Sequence, residues 1–160
     1  MPTEAVQFAS VIERTAREII SQIEALDGDS LNHLLQFEGA NTLGALATHC
    51  VGMGEYWVLA LVGGRTIERD RPAEFRARAS ARELVLRIER WIVDMHALLD
   101  TLPDEQMNRV VDPPAAFRGP ELPEVITVRD SLLHVVEHNA THLGHIQIVR
   151  AELFHTHNSQ

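Results

Sequence analysis

The sequence predicts an all-α protein built as a four-helix bundle. Three observations carry that reading. Four segments place apolar residues at steps of three and four, which gathers them on one face of an α-helix. No segment shows the strict alternation of a half-buried strand. The chain has 160 residues, 45% of them hydrophobic, enough to bury a core in one domain over residues 1–160.

The first helix is expected over about 3–26, where Phe8, Ile12, Ala16, Ile19, Ile23 and Leu26 form the stripe. Asp27 and Gly28 open the turn that ends it. In the connection that follows, Leu34, Leu35 and Phe37 are placed to cover an end of the bundle. The second helix is expected over 42–62, capped by Asn41 or Thr42 and stopped by Gly63-Gly64. Its stripe is Leu43, Ala47, Cys50, Gly54, Trp57 and Leu61, and its internal glycines suit a close helix–helix approach.

A charged connection containing ERDRPAEFRAR reads as solvated, with internal ion pairs. The third helix, about 80–102, opens on a capping box of Ser80 and Glu83, with Leu84, Ile88, Trp91, Met95, Leu98 and Leu102 inward. Residues 104–125 hold four prolines and read as a lid, a binding loop or a mobile segment. The fourth helix, about 127–154, starts on Thr127 supported by Asp130, and the tail after it reads as frayed. The link between helices two and three is long enough to run back along the bundle. An order other than simple up-down-up-down is therefore open.

The formal charge of −9 argues against nucleic acid and anionic membrane surfaces as partners. The lone cysteine excludes a disulfide within the chain and suits a reducing, cytoplasmic compartment. The N-terminus lacks the pattern of a signal peptide, and no apolar run is read as a membrane span.

The chemistry concentrates in LLHVVEHNATHLGHIQIVRA, residues 132–151, with four of the nine histidines. His134, His138, His142 and His145 fall within an arc of roughly 80° on a helix. His138 and His142, one turn apart, can grip one divalent ion; the competing reading is an ordinary polar face. His49 falls at the edge of the second helix's stripe, facing a half-buried crevice, where it is either a third ligand or a packed histidine. Cys50 beside it reads as a small buried hydrophobe, His33, His96, His155 and His157 as structural or solvated, and Trp57 and Trp91 as core or dimer contacts.

The stretches GANTLGALATHCVGMGEYWVLALVGGRTIERDRPAEF and LLHVVEHNATHLGHIQIVRAEL resemble the DinB/YfiT-like superfamily of metal-binding four-helix bundles, over about 29–153. The matching features are His49 ahead of the aromatic pair Tyr56-Trp57, the pair His138 and His142, and Gly144. His145 stands where the family usually has glutamine. The resemblance implies a divalent ion, zinc or nickel first, on His49, His138 and His142, and a homodimer. It also implies a reaction that uses a low-molecular-weight thiol on a small electrophile, as thiol S-transfer or a related hydrolysis. His134 and His145 are then candidates for outer-shell support or proton transfer. A bundle that binds metal or a small ligand without turnover is the alternative.

Overall fold

The structure, a computed structural model, describes residues 3–157, with side chains through His155. Its helices are α1 (Glu4–Ile23), α2 (Gly28–Leu31), α3 (Leu43–Gly54), α4 (Arg71–Glu74), α5 (Ala81–Leu99) and α6 (Val128–His157). The four long ones are those expected. Their starts are set by side chains that satisfy otherwise unpaired N–H groups. Thr3, Thr42 and Ser80 accept from Val6, Ala45 and Glu83, each such cap contributing about 1 kcal/mol. Thr127 and Asp130 satisfy each other's backbone N–H at the start of α6. That helix continues beyond 154 to His157, so the frayed-tail expectation fails there; residues 158–160 lie outside the described part.

α1 packs against α5 and α6, and α3 packs against the same two. Successive long helices α1 and α3 therefore lie across a diagonal, and the order is not simple up-down-up-down. The long connections over residues 24–42 and 100–127 span the two diagonals, from α1 to α3 and from α5 to α6. One continuous core joins Ile12, Ile23, Trp57, Ile88, Met95 and Leu132. Trp57 and Trp91 are both core residues, at 1% and 2% exposure.

α3 departs most from expectation. Every residue from Leu43 to Gly54 is buried, so it has no solvated face and no stripe edge. With its extension, the helix over Leu43–Val62 is long and apolar enough to span a membrane, contrary to the sequence reading, but 78% of its apolar window is buried inside the protein. From Glu55 to Val62 it widens to π-type turns, with Gly63 N–H donating to the Val58 carbonyl at 2.9 Å. Arg109 donates to the Val62 carbonyl at 2.6 Å, and Gly64 adopts φ +71°. Gly54 lies against the Trp91 ring so closely that a Cβ there would overlap it, which bears out the close helix approach expected of the glycines.

Two smaller expectations fail. Leu34 and Phe37 are half exposed, and it is Leu31, at 0%, that plugs the bundle end, with Leu35 partly buried beside the core. A strand pair is also present: β1 (Val110–Val111) lies antiparallel to β2 (Ile126–Thr127) and closes the long loop at its base. Two-residue strands are too short to show alternation in sequence. Within that loop, Arg118 donates to the carbonyls of Pro113 and Glu124 and to Asp112 Oδ1, which ties the proline-rich stretch to itself.

Candidate metal centre

α3 and α6 pack directly, and their contact brings three histidines together. His49 comes from the middle of α3; His138 and His142 come from successive turns of α6. One nitrogen from each lies within 4.8 Å of the others. His49 Nε2 is 3.0 Å from His138 Nε2. The His49 and His142 rings meet edge to face, with centroids 5.0 Å apart. His49 is 1% exposed, so it lies in the interior and not at a half-open edge. The stripe reading missed this because α4 and its flanking connection cover the outer side of α3.

That connection supplies what the sequence did not suggest. His49 Nδ1 lies 2.7 Å from Glu74 Oε2. A carboxylate only accepts, so Nδ1 carries a proton and donates it to Glu74. Arg69 grips the same carboxylate, with Nε 2.8 Å from Oε1 and Nη2 2.9 Å from Oε2. The Arg69 and Glu74 side chains are only 5% and 8% exposed. The expected ion pair exists, but the run carrying it is not merely a solvated connection. Gly52 makes the room: a Cβ there would strike the Glu74 carboxylate.

The DinB superfamily pattern matches residues 12–146 of this chain. The chain belongs to the DinB superfamily. A DinB-like protein from Bacillus cereus ATCC 10987 superposes with a TM-score of 0.71 at 16% identity, covering 95% of this chain and 94% of that one. A conserved protein from Enterococcus faecalis superposes at 0.73 with 12% identity, covering 96% and 99%. At such identities the likeness concerns the fold. No curated protein gives a significant match.

Three imidazoles thus surround one point in this chain, and their environment keeps two of them, His138 and His142, neutral. Burial, then the neighbouring His142 and His49, lowers the pKa of His138 to about 3. Burial, then His49, His145 and Arg71, lowers that of His142 to about 4. Burial works to raise the Glu74 carboxyl, but hydrogen bonds from His49 and Arg69 outweigh it and hold its pKa below the usual value. An ionised Glu74 behind the Nδ1–H of His49 is the carboxylate–histidine arrangement that orients a metal ligand. His138 Nδ1 lies 3.4 Å from Asn139 Oδ1 and His142 Nδ1 lies 3.3 Å from His145 Nδ1. Each ring thus has a neighbour at Nδ1, leaving Nε2 as the nitrogen it offers. Two such nitrogens on one tetrahedral ion stand about 3.3 Å apart, close to the facing pair here. The residues fit a divalent ion.

The other candidates separate cleanly. His134 packs its ring on Trp57, centroids 4.6 Å apart, and lines a cleft beside His49 and His138. Its Nδ1 is 4.0 Å from Glu121 Oε1, and burial lowers its pKa. His145 is exposed, lies outside the cluster of three, and faces an apolar groove with Phe37, Leu46 and Ile148. Cys50 is 2% exposed and burial, then the charge of Glu74, pushes its thiol up to about 12, so it is a core residue. His96 bridges α1 and α5 instead, and His33 and His155 are exposed; the side chain of His157 lies outside the described part. The proline-rich loop forms the cleft's outer wall, with Phe117 against Tyr56 at 4.8 Å.

Proposed function

We propose that this protein is a divalent-metal-dependent enzyme whose ion, zinc or nickel, sits on His49, His138 and His142. Its reaction is the transfer of a low-molecular-weight thiol to a small electrophile, or a related hydrolysis. The observation that carries the reading is the facing of His49 Nε2 and His138 Nε2 at 3.0 Å, with His49 locked from behind by Glu74. At that distance the two nitrogens either share a proton in an N–H···N hydrogen bond or, with both lone pairs free, converge on a cation. Three protein ligands leave a fourth position open, the mark of a catalytic site over a structural one. The ion, when bound, supplies the Lewis acidity that lowers the pKa of a thiol or water.

The chain's own residues supply the rest. The cleft beside His49 holds the electrophile against Phe117 and Trp57. His134, neutral because buried, takes the proton at Nε2 while Nδ1 stays toward Glu121. In thiol transfer a sulfur–carbon bond forms, the carbon–leaving-group bond breaks, and the leaving group departs with its electron pair. We place the reaction in the cytoplasm, on the strength of the lone buried thiol, and in a homodimer. Light scattering tests the dimer: twice 17.9 kDa supports it and 17.9 kDa removes it.

The test is elemental analysis of untagged protein, followed by turnover of an activated aryl halide with cellular thiols and of an activated ester in water. About one equivalent of metal, with turnover abolished in His142→Ala, is the expected result. One equivalent with no turnover would leave a binding bundle, and no metal in protein purified without chelators would remove the enzyme reading.

A further inference from the structure

The cleft over His49 and His138 runs against the charge of the molecule. The chain is formally −9, yet Arg69, Arg71 and Arg118 all line this one cleft. Two of the three are committed. Arg69 is bound by both oxygens of Glu74, and Arg118 by Asp112 and two loop carbonyls. Arg71 is not. Among the described residues it has no carboxylate partner; its guanidinium lies over the Phe75 ring, 5.8 Å from the centroid. The same ring also lies against His49, 4.3 Å away between centroids. Arg71 therefore stands one aromatic ring from the proposed ligands, and its charge reaches His142. Glu121, the acidic side chain on the cleft wall, lies beside His134.

An unpaired guanidinium at the mouth of a cleft, supported on an aromatic face, suits a planar oxyanion. We propose that the small molecule admitted to this site carries a carboxylate or similar oxyanion, and that Arg71 is the residue that selects it. The proposal builds on the metal-enzyme reading for its chemistry, but its geometry stands apart from the ion. The anionic end rests at Arg71 while the reactive end reaches along the cleft toward His49 and His138. Neutral analogues lose that anchor. Because Arg71 is exposed, salt weakens the preference.

The experiment is calorimetric titration of the protein as purified, and again after chelation, with succinate, succinamide and inorganic phosphate. Wild type is set beside Arg71→Met and, as a surface control on α5, Arg82→Met. Succinate should bind wild type at least about ten-fold more tightly than succinamide, with and without metal. That preference should vanish in Arg71→Met, persist in Arg82→Met and shrink with added salt. Phosphate outcompeting succinate with the same Arg71 dependence supports the anion site and assigns it to a phosphoryl group. No anion binding to either form, or equal binding by Arg71→Met and Arg82→Met, overturns the proposal. The metal content of the same samples reads the enzyme proposal separately. Arg71-dependent succinate binding in a protein without metal would remove the enzyme and leave the anion site; metal without anion binding would do the reverse.

Discussion

His96 and the cluster of His49, His138 and His142 put the same side chain to opposite use. His96 joins α1 to α5, with Nε2 2.8 Å from Glu13 Oε2 and Nδ1 3.1 Å from Asp100 Oδ1. Burial works against its charge, but two carboxylates outweigh burial and raise its pKa. At the cluster one carboxylate serves one ring, and Arg69 already balances that carboxylate. Among the described residues no carboxylate is paired with His138 or His142, so burial, then the neighbouring histidines, keeps them neutral. A charged imidazole can clamp two helices but has no lone pair for a metal. A neutral one is ready to bind without first losing a proton.

The comparison breaks most sharply on ligand removal. His49→Ala and His142→Ala are each expected to abolish stoichiometric metal, while His96→Gln keeps about one equivalent; mass spectrometry of the native proteins decides it. If His96→Gln lost metal too, the two environments would not be separate.

Glu74→Gln comes next. The amide still accepts from His49 Nδ1 but no longer strengthens the ring as a donor, and it leaves Arg69 unpaired. Metal affinity should fall about 10–100-fold, measured by competition with a chromogenic chelator. An unchanged affinity would mean that Glu74 serves the fold alone.

Acid sharpens the contrast in the metal-free protein. In the unfolded chain His138 and His142 titrate near the ordinary value of about 6.5, and in the folded one near about 3 and about 4. Between those limits the unfolded state binds protons that the folded state does not. The contribution of these two groups is therefore constant above about pH 6.5 and falls as the pH drops toward about 3. Thermal melts of chelated wild type should show that decline, and a His138→Gln/His142→Gln double variant should lose much of it.

His96 carries the smallest effect and the opposite sign. Its folded pKa is raised, so its contribution is full below about pH 6.5 and fades as pH rises through the folded value. Such half-exposed pairs are worth about 0.5 kcal/mol. Wild type should exceed His96→Gln by that order at pH 5.5 in urea melts, and the gap should close by pH 8.5. A gap that widened with pH would show that His96 acts through packing and not through charge.

The parts of this protein legible in sequence are those governed by residues close together in the chain. His138 and His142 announce themselves because four residues make one helical turn, and the four long helices appear through stripes and caps such as Ser80 with Glu83. Glu74 did not appear as a site residue. It sits in a run of charges 25 residues from the histidine it supports, and nothing local distinguishes it from Glu68 or Asp70. The pull of the stripe pattern also misplaced His49, because a helix covered on every side has no edge to read. The π-type turns over Glu55–Val62 likewise left no local mark.

Local periodicity thus determines that this chain is helical, where its helices begin, and that one face of the last carries imidazoles in register. Packing determines that α1 and α3 stand across a diagonal, that α4 folds over α3, and that Glu74 and Arg69 close behind His49 while Arg71 is left facing the cleft. The reason is the range of the forces. Turn geometry and capping act within about four residues and are written directly in the order of side chains. Burial and charge pairing act between surfaces that meet only after the chain has crossed itself.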